Sequence, residues 1–174
     1  MNDKPLNDMQ ETYRQAECDG MVKVGIPCHP STGITLEWCW ATRLSDSHAR
    51  LDNCCLFQDD VAFGDVIEFR EQAEPHAIRK EFVRVVSRGS EQVLVAYATL
   101  DEAADTSEFK REQLKERLQQ IDRFLENACG GIAALAWEAP EPGFLCIALP
   151  VGTTAEEAER LLAPCPYFLD PSWL

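Results

Sequence analysis

The sequence predicts an α+β protein, with a mostly β N-terminal half joined to a C-terminal half of ferredoxin-like order, β-α-β-β-α-β. Three observations lead there. Short apolar alternations of period two recur between residues 21 and 97. One apolar stripe of helical spacing follows residue 105. Two strand-like segments and a second capped helix then complete the chain.

Residues 1–20 are polar and mixed in charge, which predicts a flexible lead-in with a short helical turn around Asp8 to Ala16. From Met21 the pattern becomes β: Val22, Val24 and Ile26 alternate with Met21, Lys23 and Gly25, as in a strand with one buried face. Pro27 to Gly33 is a loop by its Pro and Gly content. Leu36, Trp38 and Trp40 then alternate with Glu37, Cys39 and Ala41, and two indoles on one face are expected to anchor the core. Leu51 to Phe57 is a candidate extended segment, and Val61 to Phe69 a further strand interrupted at Gly64-Asp65. Phe82 to Val86 and Gln92 to Tyr97 flank Ser87-Arg88-Gly89-Ser90, a hairpin signal.

In the second half, Asp105-Thr-Ser-Glu108 resembles a capping box with Asp in the leading position. Leu114, Leu118, Ile121 and Leu125 recur at helical spacing, and Gly130-Gly131 supplies a terminator. Ile132 to Trp137 and Phe144 to Leu149 are strand-like and are separated by a turn rich in Pro and Gly. Thr153-Thr-Ala-Glu156 is a capping box for a helix that stops at Pro164, and Tyr167-Phe168-Leu169 offers a last strand. The expected organisation is a lead-in over 1–20, a β-rich lobe over 21–90 and a ferredoxin-like lobe over 91–174. The hairpin strand at Gln92 is expected to join the lobes into one folding unit.

Composition narrows the function classes. A net charge of −14 opposes phosphate-backbone binding, which needs clustered Lys and Arg. The acidity is uneven: residues 1–90 carry 10 basic and 15 acidic side chains, residues 91–174 carry 6 and 15. No apolar run reaches the roughly 20 residues of a membrane span, and no apolar stretch follows a basic start. A soluble, cytoplasmic protein is the expectation. The eight cysteines include no C-x-x-C pair, so reduced thiols are expected, several of them as small core residues (Cys39, Cys146).

Several segments together resemble a bacterial family of domains of unknown function, DUF4265. They are Glu37-Trp38-Cys39-Trp40-Ala41, Arg50-Leu51-Asp52-Asn53 and Val61-Ala62-Phe63-Gly64-Asp65-Val66, with Val85-Val86-Ser87-Arg88-Gly89 as a further element. Members of that family show a Glu-x-x-Trp-Ala strand, a Leu-Asp-Asn-x-Pro-Phe segment and a Gly-Asp-Val strand in this order. The chain departs from that pattern at Cys55 and Leu56, where the family has Pro and an aromatic. The resemblance covers residues 20–97; it implies a fold and brings no known chemistry.

Glu37, Trp40, Asp52, Asn53 and Asp65 are the polar and aromatic set of a candidate ligand groove, with carboxylates that could serve as general acid and base. The same residues suit structural work: Asp52-Asn53 an Asx-type turn, Gly64-Asp65 a tight bend. Cys28-His29 is the best metal candidate, with Cys18 or Cys39 as further ligands, but zinc sites use closely spaced ligand pairs and only this one exists. No metal and no cofactor is expected. On the long helix, Glu108, Glu112, Glu116 and Glu126 fall opposite the apolar stripe. That row is either a solvated face or an acidic docking surface.

The sequence contains no phosphate loop, nucleophile elbow or HExxH. The leading expectation is therefore a non-enzymatic acidic protein that engages a basic protein partner, as an immunity protein engages a toxin. The alternative is a small-molecule enzyme or ligand-binding domain that uses the Trp40/Asp52/Asn53 groove. Nucleic acid and membrane partners are not expected.

Overall fold

The computed structural model describes residues 20–30, 33–56, 60–74, 77–97, 107–128, 136–141 and 143–168. It is an α+β structure in two compact units, Met1–Arg88 and Gly89–Leu174. The predicted lead-in before residue 20 lies outside the described residues.

The first unit is a closed barrel of five strands. β1 (Met21–Pro27), β2 (Leu36–Arg43), β3 (His48–Leu51), β4 (Val66–Glu74) and β5 (Ala77–Ser87) follow one another as antiparallel neighbours. A parallel contact, Gly25 with Glu81, returns β5 to β1. Val24, Ile26, Leu51, Ile67 and Phe69 fill the interior.

Register decides which face of β2 is inside, and it reverses the expectation drawn from the two indoles. Val24 pairs with Cys39 and Val22 with Ala41, so Cys39 and Ala41 share the buried face of β1. Trp38 pairs with Gly25 on the outer face and is 45% exposed. A small barrel has room for only some large side chains, and Cys39, Ala41 and Ala49 leave that room to Leu51 and Phe69. Two indoles there would overfill it.

Three further expectations are corrected. The segment after Leu51 is not a strand: β3 ends at Leu51, and residues 52–56 form a loop laid against β2. Strand pairing resumes only at Val66, after the turn at Ala62–Asp65. The hairpin across Ser87–Ser90 does not form, because β5 pairs with β4 and β1 while the next strand joins a different sheet.

That sheet belongs to the second unit. β6 (Glu91–Ala96), β7 (Ala136–Glu141) and β8 (Phe144–Leu149) lie in the order β6-β8-β7, all antiparallel. Tyr97 makes an isolated antiparallel bridge to Phe168, the described trace of the expected last strand. α1 (Ser107–Ala128) presents Ile121 and Leu125 to the core as buried residues, and Leu114 and Leu118 pack against them half-buried. The Asp105 cap and the Gly130-Gly131 terminator of α1 lie outside the described residues, as does the segment 132–135 before β7. α2 (Ala155–Leu162) begins one residue later than the sequence suggests: the N-cap is Thr154, and Glu157, not Glu156, closes the capping box. Phe124 and Phe168 meet edge to face at 6.2 Å.

Candidate functional site

In the first unit, β2 and the loop after β3 bring four of the five groove candidates together. The Thr42 hydroxyl donates to Asp52 Oδ2 at 2.7 Å, and the Asp52 amide donates to the Trp40 carbonyl at 2.9 Å. The Trp40 amide donates to Asn53 Oδ1. The Glu37 carboxylate accepts the Leu56 amide on both oxygens, at 3.1 and 3.0 Å. Each polar side chain thus meets a donor that the loop or the strand would otherwise leave unsatisfied. The Trp40 ring is half-buried, and the Lys23 ammonium lies 5.3 Å from its centroid.

Asp65 works at a neighbouring turn. Its side chain is fully buried; Oδ2 accepts the Ala62 amide at 3.0 Å and Arg88 Nη1 at 3.2 Å. The Asp65 carbonyl accepts the Leu51 amide at 2.9 Å, which ties this turn to the end of β3. Chemically, the set fastens the loop and the turn: Glu37, Asn53 and Asp65 accept backbone amides, and Asp52 accepts the Thr42 hydroxyl.

Buried thiols sit under the same loop. Cys39 on β2 and Cys55 in the loop approach to 3.5 Å between sulfurs, and Cys54 is buried beside them. The hydrogen bond with Cys39, then burial, pushes the Cys55 thiol far up. Burial, with added repulsion from Glu37 and Cys39, also raises Cys28. Both therefore remain protonated thiols near neutral pH. Cys28 is buried at the end of β1, whereas the neighbouring His29 is exposed. Among the described residues no group of three or more His, Cys, Asp or Glu is arranged to hold a metal, and Cys18 lies outside them.

In the second unit, Glu112 and Glu116 are exposed on α1 opposite buried Ile121 and Leu125, and Glu126 is exposed at the edge of that face. The Glu108 side chain lies outside the described residues. Lys115 and Arg123 are exposed on the same helix, and its last turn carries no basic residue. Beside the apolar stripe, Trp137 Nε1 donates to Asp122 Oδ1 at 2.8 Å.

Sequence reasoning missed two features. Trp38 is an outer-face indole, with the Arg79 guanidinium 5.6 Å from its ring centroid. Gly25, placed where β1 must accept a neighbour's ring, was the available signal. The Cys39–Cys55 approach had no signal, since the two are separated by a strand and a turn.

A family model described as a domain of unknown function, DUF4265, matches residues 37–164, from β2 to just beyond α2 and so across both units. No curated protein matches the chain. Among solved structures, a novel crystal structure of a hypothetical protein from Neisseria gonorrhoeae is similar at 13% identity, with a TM-score of 0.47, over 79% of this chain and 82% of that one.

Proposed function

We propose that this chain, which belongs to the DUF4265 family, is a non-enzymatic binding protein whose acidic α1 face engages a basic protein partner. The observation that carries this reading is the exposure of Glu112, Glu116 and Glu126 on one side of a helix whose other side is buried. Such a row opposes the helix locally, since Glu112 and Glu116 stand four residues apart and repel by a few tenths of a kcal/mol. A cationic partner would turn that repulsion into attraction. A secreted basic toxin is one partner of this kind, which would make the chain an immunity protein acting in the bacterial cytoplasm. Among the described residues the six cysteines are joined by no disulfide, which fits a reducing compartment.

The alternative, chemistry in the Trp40/Asp52/Asn53 groove, draws less support. General acid–base work needs a carboxylate able to reach substrate, and those of Glu37, Asp52 and Asp65 are engaged by the protein. For the second unit we infer a ferredoxin-like arrangement. The order β6-β8-β7, with Phe168 bridged to Tyr97 on the outer side of β6, supports it.

The test is Glu112→Gln, Glu116→Gln and Glu126→Gln combined. The fold should be retained and the helix slightly stabilised. Association with a basic partner captured from the native host should slow several-fold, and its salt dependence should flatten, because charge steers encounter. An association rate indifferent to both salt and the triple substitution would refute the acidic docking surface.

A further inference from the structure

We propose that Cys39 and Cys55 form a dithiol–disulfide couple, a modification site that covalently fastens the 52–56 loop to β2 under oxidising conditions. This inference is independent of the binding role proposed for α1. It rests on two observations. The sulfurs are 3.5 Å apart inside the barrel core, with Cys39 1% and Cys55 0% exposed. The loop that carries Cys55 is also held against β2 on both sides of it, by Thr42 to Asp52, the Trp40 amide to Asn53, and the Leu56 amide to Glu37. Cys39 lies on the same strand, between Glu37 and Trp40. The tethers therefore hold the two sulfurs in register, which is what raises the rate of an intramolecular exchange.

Neighbouring thiols are poorer partners. Cys54 and Cys55 are adjacent in sequence, and a bridge between adjacent residues strains the backbone. Cys28, at the end of β1, is near enough to Cys39 to be raised in part by it but is hydrogen-bonded to its own strand at Ile26.

The closed structure keeps the couple silent. Thiolate, not thiol, attacks a disulfide, and Cys55 is held protonated by its bond to Cys39 and by burial. Reaction requires the loop to open briefly. With oxidised glutathione as the oxidant, the Cys55 thiolate attacks one glutathione sulfur, forming a mixed disulfide and expelling one glutathione thiolate. While the loop is still open the Cys39 thiolate attacks Cys55 Sγ, forming the Cys39–Cys55 bond and expelling the second glutathione as its thiolate, after which the loop closes. The two protons and two electrons lost by the protein thiols end on two molecules of reduced glutathione.

The experiment incubates the folded chain with oxidised glutathione, quenches with acid, alkylates, and maps peptides by mass spectrometry. The expected product has lost two hydrogens, and its one cross-linked peptide pair contains Cys39 and Cys55. Cys54→Ser should give the same pair, whereas Cys39→Ser should stop at a glutathione adduct. Hydrogen exchange of the Leu56 and Asp52 amides should slow at least several-fold in the oxidised form. The mapping needs only the unsubstituted protein, so it decides even if Cys39→Ser does not fold. A native protein that stays fully reduced, a cross-link that uses Cys28 or Cys54, or unchanged exchange in the loop after oxidation would each overturn the proposal.

Discussion

The indole of Trp38 lies across the β1–β2 pair on Gly25, so close that a Cβ built at Gly25 would be 3.2 Å from the ring. The glycine is what lets a large ring lie flat on the outside of the barrel. Trp38 therefore buries about half of its surface, and the guanidinium of Arg79 lies over the ring.

Trp38→Ala should accordingly cost about 1–2 kcal/mol, from half an indole's burial and one partly exposed cation–π contact. A core anchor would cost about 3–5 kcal/mol. Chemical denaturation separates the two, and soluble expression should be kept. A loss in the larger range would mean that the ring supports the barrel interior.

Asp65 is the opposite case, a polar side chain with no exposure at all. Asp65→Ala leaves the Ala62 amide without its acceptor and should cost about 2–3 kcal/mol. Little of this comes from Arg88, whose side chain is 44% exposed and regains water. Asp65→Asn keeps an acceptor oxygen and should cost about 1 kcal/mol. If alanine and asparagine proved equally mild in a urea melt, the turn would not depend on the Ala62 bond.

These two residues mark what the sequence disclosed and what it hid. Asp65 was legible as a turn former because its chemistry is local, its carboxylate accepting the Ala62 amide three residues back. Asp52 and Asn53 instead bond across to Thr42 and Trp40 on β2, which no local pattern shows. The α1 stripe was legible because helical period is intrinsic to the chain. The face of β2 was not, since both faces of Glu37–Ala41 hold apolar residues and only pairing with Val22 and Val24 chooses between them. The absent hairpin has a similar cause. Ser87–Ser90 looks like a turn from either side, but β5 already pairs with the strand before it, Val66–Glu74, and β6 takes Phe144–Leu149, a partner distant in sequence. The Cys39–Cys55 approach depends on both register and loop path, so no local pattern announces it.

The α2 cap offers a prediction with a pH signature. The Thr154 hydroxyl accepts the Glu157 amide at 3.2 Å, and Glu157 Oε2 accepts the Thr154 amide at 2.9 Å. The bonds from Thr154 hold the Glu157 carboxyl below its ordinary value of 4.5. Because the folded value is depressed, the contribution is complete above 4.5 and is lost as pH falls through the lowered folded value. Thr154→Ala should cost about 1 kcal/mol at neutral pH. It removes the hydroxyl but keeps the Thr154 amide, the larger cause of the shift, so the Glu157 titration, followed by NMR, should rise only part of the way toward the ordinary value. A Glu157 titration already at the ordinary value in the unsubstituted protein would show that the box is not formed in solution.

The last prediction tests whether the α1 stripe is a uniform core strip or a graded one. Ile121 is fully buried, while Leu114, two turns nearer the N-terminus, is half-buried beside Leu118 and Trp137. Truncation of a fully buried side chain removes its transfer energy and leaves a cavity that the surroundings fill only in part. Ile121→Ala should thus cost about 3–4 kcal/mol. At Leu114 solvent already reaches the side chain, so no closed cavity forms, and Leu114→Ala should cost about 1–2 kcal/mol. Both changes add helix propensity, which favours alanine by a few tenths of a kcal/mol and cannot account for a gap of that size. Equal losses in equilibrium unfolding would mean that the N-terminal half of the stripe is covered as completely as its C-terminal half. The recess beside Leu114 would then be closed in solution, and the acidic residues Glu112 and Glu116, which flank it in sequence, would sit on a more rigid helix than the half-burial of Leu114 implies.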